Sequence, residues 1–325
     1  MSVELPNPTA KVGPLSQMIH DYNFLPLSEF SGINAYLKLE AMNPSGSIKI
    51  KAALGMIEDL ERRNLIKEDT ILIESSSGSL GVALSIICAE RGYQFVCVVD
   101  PNAMESNIRY MRALGARIVM VDRRDNNGGF LGTRISYIQR CTAEDARYIW
   151  LNQYANEKNP AMHADTTARA ITETFGNIDY LFVGAGTTGT LMGCLQHFSR
   201  QSPSTRIIAV DTLGSVTFGV PPGKRLIPGL GTSRRPEIYA PLGIHAFELI
   251  PESEAVTTCR QLARRYGLLA GGSTGTVISA LIRWRPRIEQ GATIVAISPD
   301  FGERYLDTIY NDDWVKHSFD LSPAQ

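Results

Sequence analysis

Short apolar, β-branched runs alternate with amphipathic stretches from one end of the chain to the other. "AYLKLE" at 35–40 reads as a strand and 48–63 as a helix. "TILIE" then reads as a strand, 80–91 as a helix, "FVCVVD" as a strand and 106–114 as a helix. "RIVMVD" is a further strand, and a helix around 133–139 closes the first half. The second half repeats the rhythm with a helix near 164–174, "YLFVGAG", a helix after Gly189, "RIIAVD" and later "TIVAIS". Strands that alternate with helices predict an α/β protein whose largely parallel sheets are covered on both faces. The two halves predict two α/β/α domains with a cleft between them, where ligands commonly bind. A Pro/Gly/Arg-rich stretch, "FGVPPGKRLIPGLGTSRRP", breaks the rhythm and reads as a long surface or active-site loop.

Charge and cysteine content narrow the classes. Thirty-two Lys and Arg against 33 Asp and Glu give a net charge of −1, so no basic stripe points to nucleic acid. The longest apolar stretches, "GVALSIICA" and "TIVAIS", are too short to span a bilayer. The opening "MSVELPNPTAKVGP" has neither a basic n-region nor an apolar h-region, and predicts no signal peptide. Cys88, Cys97, Cys141, Cys194 and Cys259 are scattered and never in a CxxC pair, which predicts reduced thiols in a cytoplasmic protein without a zinc site. None of the five histidines has ligand spacing.

Three Gly-rich loops carry candidate chemistry. "ESSSGSLG" (74–81) and "GAGTTGTLMG" (184–193) follow strands, and "AGGSTGTVIS" (270–279) precedes a helix. Small residues let backbone approach a ligand closely, and a helix start turns N–H groups toward an anion. The hydroxyls of Thr187, Thr188 and Thr190 add donors that suit a phosphate. A dinucleotide fingerprint can be laid on Gly184, Gly186 and Gly189 with Asp211 as its acidic residue, but it leaves the other two loops unexplained. Just ahead of the first predicted helix, "MNPSGSIKIK" sets Lys49 and Lys51 in its first turn, the wrong end of a helix for cations. A lysine placed there is either a surface charge or an amine not meant to be charged.

In order along the chain, "KLEAMNPSGSIK", "ESSSGSLG", "NQYANEKN", "GAGTTGT", "GGSTG" and "SPDFGERY" resemble the fold-type II pyridoxal-phosphate enzymes, the cysteine synthase and cystathionine β-synthase group. The resemblance implies a tryptophan synthase β-like fold. It divides the chain into a smaller, mobile domain at 43–150 and a larger one built from 1–42 and 151–325. It implies that Lys49 forms the Schiff base with pyridoxal 5′-phosphate and serves as the base, leaving Lys51 an ordinary neighbour. Gly186, Thr187, Thr188, Gly189 and Thr190 would hold the cofactor phosphate. Ser273 would face the pyridine nitrogen, where a hydroxyl makes a weaker electron sink than a carboxylate. Ser76, Ser77, Gly78 and Ser79 together with Gln153 would grip the substrate carboxylate, and Arg134 and Tyr154 would bind substrate.

Stretches such as "NNGGFLGTRI" and "PGLGTSRRPEI" are similar to the branch that joins O-phospho-L-serine to L-glutamate on the way to 2,3-diaminopropionate, used in siderophore or antibiotic biosynthesis. Sulfide-using cysteine synthases, and a binding protein of this fold that has lost its chemistry, are the alternatives. Arg234 and Arg235 are candidates for a doubly anionic second substrate. Two departures stand out: Ser79 replaces the group's usual asparagine, and Ile50-Lys51 replaces its usual Asp-Arg. The group's habit implies a homodimer acting on small amino acids.

Overall fold

The computed structural model describes residues 13–125 and 129–321. Most of the N-terminal stretch examined for a signal, and the Asn126–Gly128 part of "NNGGFLGTRI", lie outside the described residues. The strands are β1 (Phe24–Pro26), β2 (Ala35–Leu39), β3 (Ile71–Ser75), β4 (Gln94–Val99), β5 (Arg117–Met120), β6 (Tyr148–Trp150), β7 (Tyr180–Gly184), β8 (Arg206–Thr212), β9 (Ala246–Ile250) and β10 (Ile294–Ser298). The helices are α1 (Ser28–Ser31), α2 (Lys49–Arg62), α3 (Ser79–Arg91), α4 (Glu105–Ala113), α5 (Leu131–Glu144), α6 (Lys158–His163), α7 (Arg169–Phe175), α8 (Gly189–Gln201), α9 (Glu252–Tyr266), α10 (Gly272–Trp284) and α11 (Asp312–Phe319).

They form two sheets. One has the order β5-β4-β3-β6 and is parallel throughout; the other has the order β1-β2-β10-β7-β8-β9, with only the β1–β2 pair antiparallel. Alternate residues of a strand face opposite sides, so a strand buried on both faces reads as one apolar run. In the four-stranded sheet Ile73, Val96 and Val98 pack on Ile138 of α5, while Leu72, Phe95 and Cys97 pack on residues of α2 and α3. In the six-stranded sheet Phe182, Ile208 and Ala296 meet α9 and α10, and Leu181, Ala209 and Val295 meet α7 and α8. Both sheets are therefore covered on both faces, as expected.

The strands β1, β6 and β9 and the helix α9 were not legible from the pattern. β1 and β6 have only three residues each, and β9 lies at a sheet edge with one fully buried residue, Ile250. The helix expected near 164–174 starts earlier, at α6, and runs through a π-helical turn at Ala164–Ala168 into α7. Two glycines let α6 sit close between its neighbours. A Cβ on Gly55 of α2 would come within 2.8 Å of the Lys158 carbonyl oxygen, and one on Gly193 of α8 within 2.4 Å of the Pro160 carbonyl oxygen.

The expectation for Lys51 needs correction. Its side chain is fully buried, with the ammonium 2.6 Å from Glu40, 2.5 Å from Asp21 and 2.9 Å from the Thr167 hydroxyl. Lys38 meets the other Glu40 oxygen at 2.9 Å. Burial pushes the Glu40 carboxyl up, but Lys51 and Lys38 outweigh it and hold the carboxyl at about 2. Sequence position alone could not distinguish this lysine from Lys49, because the acids that neutralise it come from the residue just after β2 and from the loop before β1. Breaking a buried pair by removing one partner typically costs about 3–5 kcal/mol. Lys51→Ala is accordingly expected to lower unfolding free energy by roughly that amount, read as the midpoint shift in urea; a shift below about 1 kcal/mol would mean the cluster contributes no net stability.

Candidate active site

Lys49 is the first residue of α2. The amide of Ile48 just before it donates to the carbonyl of Pro299 at 2.7 Å, and Ser47 pairs with Asp300 in an isolated β-bridge. Ile48 itself packs into the six-stranded sheet, while Ile50, Ala53 and Leu54 pack into the four-stranded one. The start of α2 is thereby anchored in one body and its shaft in the other. The Lys49 side chain is half-buried by surface because it faces a cavity, yet protein encloses it on all other sides. That loss of water lowers the pKa of its amine from the ordinary lysine value, with the Asp300 carboxylate pulling weakly the other way. No carboxylate lies within ion-pair distance of Lys49 among the described residues. The wrong-end lysine is thus an amine biased toward neutrality.

The opposite wall of the cavity is the loop between β7 and α8. Gly186, Thr187, Thr188, Gly189 and Thr190 line it together with Lys49. Thr188 takes a left-handed φ of 67° at the start of α8. Its hydroxyl oxygen is buried without a hydrogen-bond partner. The loop bears no charged side chain and presents the N-terminus of a thirteen-residue helix. An orphaned hydroxyl and free amides at a helix start fit a phosphate group.

Behind this loop stand residues that the sequence reading passed over. Asn159 Nδ2 donates to Thr187 Oγ1 at 3.1 Å and to the Gln153 carbonyl at 2.9 Å. A Cβ on Gly189 would collide with the Asn159 amide at 2.0 Å, so the glycine makes room for it. His163 Nε2 lies 3.4 Å from Thr190 Oγ1, and its Nδ1 lies 3.3 Å from Thr167 Oγ1, which Lys51 also reaches. Burial, then Lys51, push this imidazole down to about 3, so it stays neutral. The sequence carried a signal for Asn159 in "NQYANEKN", but none for His163.

The expected substrate-gripping residues gather around two buried carboxylates. Glu74 accepts the amides of Ser75 at 2.8 Å and Gln153 at 3.2 Å, and Gln153 Nε2 returns to the Ser75 carbonyl at 3.0 Å. Ser76 Oγ accepts the Gly81 amide and closes the start of α3. Ser77 Oγ receives a bond from Arg134 at 2.8 Å and gives one to Asp100 at 2.9 Å, while Asp100 meets Arg134 at 3.3 Å. Arg134 is therefore part of the loop, with its side chain nearly buried, and not a surface charge. Arg304 reaches Ser79 at 3.3 Å and the Ser45 carbonyl at 2.5 Å, tying this loop to the turn that precedes Lys49.

Ser273 is not on the wall beside Lys49. It is buried behind Gly229, whose φ of 117° calls for glycine, and a Cβ there would stand 3.6 Å from Ser273 Oγ. The arginine pair is split. Arg234 lies over the ring of Tyr154, 5.3 Å from its centroid, and pairs with Glu237, whereas Arg235 lies over Tyr239 and lines a different, outer pocket. Burial raises the Tyr154 phenol against the pull of Arg134, Arg234 and Arg225. Asp211, the acidic residue of the dinucleotide reading, is fully buried, bonds to the Thr212 amide and does not line the cavity.

An amine biased toward neutrality that faces a helix start fit for a phosphate matches what a cofactor with a carbonyl and a phosphate requires. The chain belongs to the pyridoxal-phosphate dependent enzyme family, whose sequence profile matches residues 17–300. It is similar along its whole length to O-ureido-L-serine synthase, with 27% identity, a TM-score of 0.86 and coverage of 97% of this chain and 98% of that one. An O-acetylserine-dependent cystathionine β-synthase from Helicobacter pylori is 26% identical with a TM-score of 0.85, covering 93% and 100%. A hydrogen sulfide-producing enzyme from Fusobacterium nucleatum is 27% identical with a TM-score of 0.84, covering 91% and 100%. The fold-type II architecture and the pyridoxal-phosphate dependence expected from sequence are thus established at the level of the family.

Burial raises Glu74 to about 7, against the amides that bond it. A carboxyl raised above its unfolded value stabilises the fold fully below that unfolded value, and the contribution fades as pH climbs through about 7. The wild-type chain should therefore lose melting temperature between pH 5.5 and pH 8, and Glu74→Gln should flatten that decline. An unchanged slope in the variant would assign the pH dependence to another group.

Proposed function

We propose that this enzyme performs β-replacement on an O-activated L-serine, joining O-phospho-L-serine to L-glutamate to give N-(2-amino-2-carboxyethyl)-L-glutamate and phosphate. The observation that carries this reading is a pair of guanidinium groups, Arg134 held on Ser77 and Asp100 at the serine loop and Arg234 lying over the ring of Tyr154. Sulfide needs no such cations, whereas a phosphate leaving group and a dicarboxylate nucleophile both do. The names of the similar enzymes agree on synthases of the O-substituted serine class.

Lys49, Gly186, Thr187, Thr188, Gly189 and Thr190 would hold pyridoxal 5′-phosphate, with Ser79 beside its ring and Ser273 set back behind Gly229. When bound, that cofactor supplies the electron-withdrawing ring that acidifies the substrate Cα–H. Lys49 Nζ then takes the Cα proton, which a desolvated amine can do near neutral pH. Ser76, Ser77, Gly78, Ser79 and Gln153 orient the substrate carboxylate. Arg134 receives the departing phosphate, which leaves with the electrons of the Cβ–O bond. Arg234 and Arg225 face the carboxylates of the incoming amine, whose nitrogen forms the new bond to Cβ. Closure of the smaller 43–150 domain over the larger one, 1–42 and 151–325, excludes water from the site. The enzyme acts as a cytoplasmic homodimer on small amino acids, with no nucleic-acid or membrane partner.

Lys49→Ala is expected to abolish turnover and the visible cofactor band of the purified protein; turnover by the variant would refute the assignment. In the wild type, that band should respond to O-phospho-L-serine and not to O-acetyl-L-serine. The opposite preference, with product formed from sulfide, would make the protein a cysteine synthase. No response to either donor would support a binding protein. Arg234→Ala should raise KM for L-glutamate about tenfold or more, a loss near 1.4 kcal/mol, with little change for the phosphorylated donor.

A further inference from the structure

We infer that Lys51 sets, through Thr167 and His163, the direction in which the Thr190 hydroxyl donates: into the cavity, toward the cofactor phosphate. The inference rests on the reading above, in which the β7–α8 loop holds that phosphate.

The side chains concerned come from separate segments. Lys51 stands in α2, Thr167 in the π-helical turn, His163 at the end of α6 and Thr190 in the first turn of α8. The Lys51 ammonium lies 2.9 Å from Thr167 Oγ1, which in turn lies 3.3 Å from His163 Nδ1. On the other side of the ring, His163 Nε2 lies 3.4 Å from Thr190 Oγ1. Thr167 and His163 are buried and do not line the cavity, whereas Thr190 lines it together with Lys49. Gly193 lets α6 and α8 come this close, since a Cβ there would stand 2.7 Å from His163 Cβ.

The direction of each bond follows from counting hydrogens. An ammonium only donates, so Thr167 Oγ1 accepts from Lys51. The hydroxyl has one hydrogen of its own, and among the described residues the acceptor within its reach is His163 Nδ1. A neutral imidazole carries hydrogen on one nitrogen, and the bond made by the other decides which. Burial and Lys51 keep this imidazole neutral. With Nδ1 accepting, Nε2 carries the hydrogen and donates to Thr190 Oγ1. Thr190 then keeps its own hydrogen for the cavity. The opposite tautomer would strand the Thr167 hydrogen in the interior, and an unsatisfied buried donor is costly. It would also make Thr190 spend its hydrogen on Nε2. The loop has no cationic side chain, so a phosphate there depends on which way such hydroxyls point. Thr167 and His163 are positioning residues in this arrangement, because they act through Thr190.

The test labels the histidines of the full-length protein with 15N, because ring nitrogens with and without a hydrogen differ widely in chemical shift. Loss of signals in His163→Gln identifies those of His163. The wild type is expected to carry the hydrogen on Nε2. Thr167→Val, which keeps the shape and removes the hydroxyl, should populate the Nδ1 form. Stripped of cofactor, the same variant should bind pyridoxal 5′-phosphate about tenfold more weakly, with unchanged affinity for pyridoxal, which lacks the phosphate. Thr167→Ser, which keeps the hydroxyl, should restore both. A hydrogen on Nδ1 in the wild type would overturn the inference alone. Equal losses for pyridoxal and its phosphate would do the same, by making Thr167 merely structural. Should Thr167→Val not fold, the wild-type tautomer still decides. If the wild type takes up no pyridoxal 5′-phosphate at all, the reading of the loop fails, and this inference with it.

Discussion

The site depends on keeping one amine from being charged. Lys49 stands in the first turn of a helix, where the helix dipole disfavours a cation, and in a pocket that protein largely encloses. Both effects act against the ammonium form, and Asp300, which opposes them, is already bonded to Ser273 and Tyr305. Two residues further along, Lys51 has the opposite fate. Glu40 and Asp21 surround it and keep it charged despite complete burial. One lysine is biased away from its charged form and its neighbour toward it because, among the described residues, only Lys51 has carboxylates within ion-pair distance.

The rest of the cavity follows from where α2 begins. Its first residues belong to the six-stranded sheet and its shaft to the four-stranded one, so the amine sits where the two bodies meet. Facing it, α8 offers amide donors and an unpartnered threonine hydroxyl in place of an arginine. Backbone donors are fixed by the helix and cost no side-chain ordering on binding. Asn159 and His163 hold that loop from behind, and His163 joins it through Thr167 to the Lys51 cluster. The β7–α8 loop and the charged core around Lys51 are thereby linked by side-chain hydrogen bonds.

The serine loop is organised by two buried carboxylates, Glu74 and Asp100. Glu74 ties the serine loop to Gln153, and Asp100 orients Ser77 and Arg134 together. Arg134 is thus held without being fully neutralised, since one carboxylate at 3.3 Å leaves much of its guanidinium free for an anion. Arg304 gives Ser79 a partner that links it to the turn before Lys49, so the shorter side chain at this position is built into the site.

The alternation of apolar runs and amphipathic stretches was enough to determine the α/β class and both sheets' long strands, because buried parallel strands must be apolar on both faces. Motif order was enough to set Lys49, the serine loop and the β7–α8 loop at strand–helix turns, whose small residues are a local requirement. Short or edge elements such as β1, β6 and β9 carry too few buried positions to be seen that way. What tertiary structure alone decided was the partners: that Lys51 is an ion-paired core residue, that Arg134 bonds Ser77, that Arg234 and Arg235 part company, and that Ser273 gives its hydrogen to Asp300. A sequence fixes which side chains exist and which local turns they favour. Protonation and hydrogen-bond direction depend on groups as far as 259 residues away, and only the packed chain brings those together.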